Sequence, residues 1–121
     1  MSATDTCCSI VPYFKVHAGQ LEAFKALSTR FIERTRSEPK CLHYAFSFDG
    51  DQVHCREGYE GAAGLLAHLE NIGALLGEAL QIADVTRVEV HALAADIEQL
   101  REPLKGLSPQ FFALQPGGLR R

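Results

Sequence analysis

The order of hydrophobic patterns along the chain predicts an α+β domain of the split β-α-β type, one four-stranded antiparallel sheet with helices on one face. Three observations carry this. Alternation of apolar and polar residues with period two recurs in four places. Apolar stretches at helical spacing fall after the first and the third of them, giving the order strand, helix, strand, strand, helix, strand. The run Asp49-Gly50-Asp51, between the second and third strands, has the chemistry of a tight hairpin.

Residues 1–6 are a polar leader expected to fray. The first strand, 7–16, turns Ile10, Phe14 and Val16 one way and Val11, Tyr13 and Lys15 the other. Pro12 has no amide hydrogen, so this strand must lose a ladder bond, beside a bulge or along an unpaired stretch. A helix over 20–36 presents Leu21, Phe24, Leu27, Phe31 and Ile32 on one face. Pro39 pushes Glu38 out of helical geometry and ends it.

The hairpin strands run over 41–48 and 53–59. Any even-numbered loop through Asp49 and Gly50 puts Leu42, Tyr44, Phe46 and Phe48 on one face with Val53, Cys55, Glu57 and Tyr59. That face is apolar except for a single carboxylate. The reverse face carries His43, Ala45 and Ser47 beside His54, Arg56 and Gly58.

Gly61 and Gly64 each cost a helix about 1 kcal/mol relative to alanine, yet Leu65, Leu66 and Leu69 mark a helix through residue 70. The glycines therefore indicate close packing on the sheet or room left for a ligand. A second Leu-rich helix follows over 72–82. In the strand at 84–93, Thr86, Val88, Val90 and Ala92 alternate with Arg87, Glu89 and His91. Asp96 with Gln99 three residues on reads as a capping box, with Ile97 and Leu100 facing inward until Pro103. Phe111 to Leu114 form a short extra strand before a Pro-Gly-Gly tail. The whole is one domain over 1–121, with a core at about 7–94 and a C-terminal helix and strand at about 95–115. Its strand order is that of a ferredoxin-like domain. A sheet covered on one face leaves the other bare, so a homodimer through the sheet face is expected.

Of the 121 residues 46% are hydrophobic and 22% charged, ordinary values for a globular chain able to bury a core without a metal or disulfide. The net charge of −3 offers no footprint for nucleic acid, and no apolar run is long enough for a membrane helix. Cys7, Cys8, Cys41 and Cys55 contain no CxxC pair and follow no secretory leader, so buried reduced thiols in a cytoplasmic protein are expected. No metal site is expected either. His43, His54 and His91 share a face, but His54 and His91 sit on opposite sides of the first strand, about 10 Å apart.

The pieces Glu-Pro-x-Cys-Leu-x-Tyr at 38–44, the hairpin, Glu-x-Tyr-Glu at 57–60 and a helix reaching His68 come in one order. Together, over residues 8–93, they resemble the antibiotic biosynthesis monooxygenase (ABM) domain family. The resemblance implies a ferredoxin-like fold paired through its sheets into a dimeric α/β barrel. For activity it implies a cofactor-independent monooxygenase acting on a small quinol, anthrone-type or other electron-rich aromatic. The substrate is deprotonated between sheet and helices, and its anion then meets oxygen. Such a site needs a base, donors for an oxyanion and a dry cavity.

The resemblance makes His68 the candidate base, since it matches the family's histidine on the helix after the third strand and imidazole titrates near neutrality. Its structural alternative is a histidine bonded to a backbone carbonyl. Glu57, beside Tyr44 and Tyr59, could orient a hydroxylated substrate or tie down the helix N-terminus at 61–63. The two tyrosines are core aromatics or phenolic donors. Haem-degrading relatives use an asparagine on the first strand, a tryptophan in the pocket and a ligating histidine. This chain has no tryptophan and no asparagine on that strand, so no cofactor is expected. The rival to an enzyme is a non-catalytic dimeric ligand-binding or stress-response module. A cavity of a few hundred Å³ lined by His68, Tyr44 or Tyr59 favours chemistry and a filled one favours the module.

Overall fold

The structure is a computed structural model that describes residues 3–121. In chain order it contains β1 (Ala3–Thr4), β2 (Cys7–Val16), α1 (Leu21–Thr35), β3 (Cys41–Asp49), β4 (Gln52–Glu60), α2 (Gly61–Asn71) and α3 (Gly73–Ile82). Then follow β5 (Ala83–Ala92), α4 (Ala94–Leu100), a 3-10 turn (Lys105–Leu107), β6 (Gln110–Ala113) and β7 (Leu119–Arg120). The α+β split β-α-β order is as expected, and β4 and β5 flank β2.

The sheet has five strands rather than four, in the order β3-β4-β2-β5-β6. β6 adds in parallel to β5, because the chain crosses back over α4 and half-buries Phe111 against the core. Thr4 does not fray as the leader reading expected. β1 pairs antiparallel with β7, and Asp5 N–H donates to Gly118 C=O at 2.8 Å. Residues 1 and 2 of that leader lie outside the described residues.

The hairpin closes with Asp49 paired to Gln52, and Gly50 takes the positive φ of +59° that this two-residue turn needs. The face assignment holds for Tyr44, Phe46, Phe48, Val53, Cys55, Glu57 and Tyr59, with one correction. A bulge between Cys41 and His43 inserts Leu42 as an extra residue, so Cys41 takes the place opposite Tyr59. Leu42 instead lines a cleft with His43 and Arg56. A second bulge, at Thr86, pairs Phe14 with Val85 and leaves Thr86 exposed instead of beside Val88. The β2–β4 ladder lapses at Val11 and Pro12, the gap that proline imposes.

Helices cover one face of the sheet and two apolar clusters meet beneath them. Cys8, Ile10, Tyr59, Leu65, Val90 and Leu100 form one, and Phe14, Phe24, Phe31, Val53, Ile72 and Leu75 the other. Gly64 lets α2 lie close on the sheet, since a Cβ there would sit 3.0 Å from Lys40 Cβ and 3.1 Å from Tyr59 Cβ. That settles this glycine as a packing residue. α1 and α3 are tied by a two-pronged ion pair in which Arg30 Nη1 and Nη2 donate to Glu78 Oε1 and Oε2 at 2.9 and 3.1 Å. No described helix is long and apolar enough to cross a membrane.

Candidate active site

Local structure places each group. α1 ends at Thr35, and Glu38, three residues beyond it, reaches the last turn of α2 at His68 and Asn71. α2 starts at Gly61, whose φ of +69° suits glycine, and its first turn is capped by Asp96, which accepts the Ala62 N–H at 3.1 Å. Two expectations change here. Asp96 lies inside the first turn of α4 and caps α2 rather than its own helix, and the helix N-terminus is thereby satisfied without Glu57.

His68 lies in the last turn of α2 and is 1% exposed. Its partners are side chains, not the backbone carbonyl that the structural alternative supposed. Nδ1 stands 3.0 and 2.9 Å from Glu38 Oε1 and Oε2, and Nε2 stands 3.4 Å from Glu57 Oε1. Tyr59 donates its hydroxyl to Glu57 Oε1 at 2.6 Å. The ring centroids of Tyr44 and Tyr59 lie 5.0 and 5.1 Å from that of His68. His68, Tyr44, Glu57 and Tyr59 are thus in one place. Tyr44, Glu57 and His68 line the cavity, while Tyr59 stands behind Glu57.

Burial sets the protonation of this group. Glu57 is pushed up to about 8, although the Tyr59 hydroxyl and Cys55 thiol pull it back, and the Glu38 carboxylate adds to the rise. Burial thus favours its protonated form near neutral pH. Burial lowers His68 below its usual range and outweighs the opposing pull of Glu38, so it is a neutral base. Burial, reinforced by Glu57, raises both phenols well above their ordinary value and leaves them as donors. The cavity wall beyond these groups is apolar, with Phe14, Phe24, Phe31, Phe46 and Ile72 among its residues, and it includes no lysine or arginine. Its volume is about 50 Å³, room for a few waters, so anything larger enters only as the walls part.

No protein-family model and no curated protein matches the chain, but solved structures do. MupZ from Pseudomonas fluorescens is 49% identical over 92% of this chain and 92% of its own, with a TM-score of 0.88. The chain belongs to the family of MupZ. A crystal structure of an antibiotic biosynthesis monooxygenase matches 69% of this chain and 94% of its own at 21% identity, with a TM-score of 0.62. Rv0793 from Mycobacterium tuberculosis matches 74% and 94% at 24% identity, with a TM-score of 0.60. These two share the fold, so this chain has an ABM-like fold, as the motif order implied.

Sequence reasoning missed Glu38 and Asn71 as site residues. Glu38 had an adequate local explanation in Pro39, and Asn71 had none that pointed anywhere. The only signal was that Glu38 opens the Glu-Pro-x-Cys-Leu-x-Tyr run that carries the family likeness. On the open face, His91 pairs with Glu89 at 3.1 Å, and His54 packs edge-on to Tyr13 with ring centroids 5.4 Å apart. Ser9 is opposite His91 and Tyr13 opposite His54, so those two histidines are offset along β2 as well as across it. Haem does not fit the buried site, where both nitrogens of His68 face carboxyl groups and the free volume is far below that of a porphyrin.

Proposed function

We propose that this chain is an acid–base enzyme acting on a small, uncharged, largely hydrocarbon molecule that carries an oxygen function. The observation behind this reading is the juxtaposition, at 3.4 Å in an apolar pocket, of the His68 imidazole and the Glu57 carboxyl, where burial lowers the first and raises the second. His68 removes a proton from the substrate, Glu57 donates to or hydrogen-bonds the developing oxyanion, and Tyr44 supplies a second donor at the wall. Tyr59 holds Glu57 in place. The absence of lysine and arginine from the cavity wall favours neutral substrates over carboxylates.

Two reaction classes use this arrangement. In the cofactor-independent monooxygenase reading, the deprotonated quinol or anthrone-type substrate reacts with oxygen; the names of the distant fold neighbours support it. In a redox-neutral reading, such as an isomerisation or the addition of a hydroxyl group within one substrate, a proton taken at one atom is returned at another. A protonated Glu57 serves either class, as a donor to the oxyanion in the first and as the source of the returned proton in the second. The cavity of about 50 Å³ falls short of the few hundred Å³ expected of a reaction site and supports the rival, a non-catalytic ligand-binding module, so the enzyme reading rests on the His68–Glu57 pair.

The chain is further proposed to work as a homodimer through the open sheet face, where His54 Nδ1 is shielded from solvent without a partner among the described residues. Its four free cysteines suit the reducing cytoplasm. The test follows substrate loss and oxygen uptake together, on metal-stripped protein with a panel of neutral hydroquinones, anthrones and hydroxylated enones. Wild type is expected to turn over at least one of them, and His68→Ala and Glu57→Gln at least about tenfold slower. Turnover with stoichiometric oxygen uptake selects the oxygenase, and turnover without it the redox-neutral enzyme. Unaltered rates in both variants sink the acid–base reading.

A further inference from the structure

Behind the imidazole, on the side away from the cavity, Glu38 is held from several directions. Its side chain is 10% exposed and that of His68 2%. Both Glu38 oxygens address one ring nitrogen, Nδ1, at 3.0 and 2.9 Å. Oε2 also accepts from Nδ2 of Asn71 at 2.7 Å. Asn71 is itself fixed, because the same Nδ2 donates to the backbone oxygen of Arg34 at 3.0 Å while Arg34 Nε donates to the Asn71 backbone oxygen at 2.8 Å. Both hydrogens of the Asn71 amide are in use. Turning the Glu38 carboxylate away would break this set as well as its contact with His68.

A neutral imidazole carries one N–H and one lone pair, and an ionised carboxylate can only accept. With the carboxylate at Nδ1, the proton belongs on Nδ1 and the lone pair on Nε2. Nε2 is the nitrogen that faces Glu57 at the cavity wall. We propose that Glu38 is a positioning residue that fixes His68 in the tautomer whose lone pair faces the reaction pocket, and that Asn71 keeps Glu38 in that role. When Nε2 takes up a proton, the imidazolium forms with a carboxylate already beside its other nitrogen, so no group need move to stabilise it.

The test reads the ring nitrogen-15 shifts of histidine in uniformly labelled full-length protein, with the His68 signals assigned by their loss in His68→Gln. Wild type at pH 7.5 is expected to show a protonated Nδ1 and an unprotonated Nε2. The opposite pattern overturns the proposal before any variant of Glu38 is made. In Glu38→Gln, the Asn71 amide orients the new amide oxygen toward itself and leaves an N–H pointing at Nδ1, so the ring proton is expected to move to Nε2. A Glu38→Gln protein that keeps Nδ1–H overturns the proposal. Asn71→Leu retains the carboxylate but releases it, and is expected to show both tautomers. A kinetic arm rests on the acid–base reading above: Glu38→Gln should lower kcat at least about tenfold with KM changed less than about twofold. A wild type without turnover would sink that reading while the tautomer measurement still decides the role of Glu38.

Discussion

The Glu57 carboxyl is held above its ordinary range because ionising it would leave a charge on the helix-covered face of the sheet, where desolvation outweighs the hydrogen bonds from Tyr59 and Cys55. This has a signed effect on stability. Its folded value is raised to about 8 from 4.5, so above about 4.5 the unfolded chain loses the proton that the folded chain retains. Stability therefore falls as pH rises and levels off beyond about 8. His68 acts in the opposite sense, its value being lowered, and reduces stability only as pH drops below its usual 6.5. Between about pH 6.5 and 8 the Glu57 slope dominates, at up to about 1.4 kcal/mol per pH unit, with the four raised cysteines adding to it in the same sense only toward the upper end. Thermal melts of wild type should show Tm rising as pH is lowered across that window, and Glu57→Gln should flatten the slope. An equally steep slope in the variant would mean that Glu57 is ionised in the folded protein. Residue identity made this much legible: strand parity alone put Glu57, Tyr44 and Tyr59 on one face. Glu38 was not legible as a site residue, because thirty positions of chain separate it from His68 and no local pattern encodes a contact made by the crossing of two helix ends.

Element boundaries followed the alternation and punctuation closely, since Pro39, Asp49-Gly50 and Gly61 each act on the backbone at their own position. What alternation did not show were the bulges. Leu42 and Thr86 are apolar or neutral residues in unbroken strand-like runs, and whether a residue is extra depends on the partner strand's register. The same limit misplaced the cap. Asp96 has the spacing of a capping box for α4, yet α4 lies close enough to the start of α2 for the side chain to reach Ala62 instead. Asp96→Ala is accordingly expected to loosen α2 and not α4. The loss should be about 1 kcal/mol, a fall of roughly 4 °C in Tm for a chain of this size. Amide exchange should accelerate first at the start of α2. Acceleration confined to α4 would show that the cap works locally after all. Because His68 rides on α2, a related loss of activity should accompany the loosening.

At the scale of the molecule, the sheet divides the chain into a closed side and an open side. The closed side holds His68 and Glu57, and the open side carries His43, Arg56, Ala45 and Ser47 into solvent or toward the proposed second copy. Light scattering at micromolar concentration should give a mass twice the 13.3 kDa of one chain. A single-chain mass would remove the proposed sheet-to-sheet pairing and leave the buried site as described. The one-sided arrangement was readable from hydrophobicity; the fifth strand's parallel attachment was not, because a four-residue strand carries too little pattern to reveal its direction. The ion pair between Arg30 and Glu78 bears on how the pocket exchanges its contents. It bridges α1 and α3, which supply Phe24 and Phe31 from one side and Leu76 from the other, and its two side chains are 57% and 51% exposed. Ions in the medium compete for such a pair. Added salt should thus speed the breathing of these helices, and with it the exchange of whatever the cavity holds, while leaving the buried contacts of His68 and Glu57 untouched.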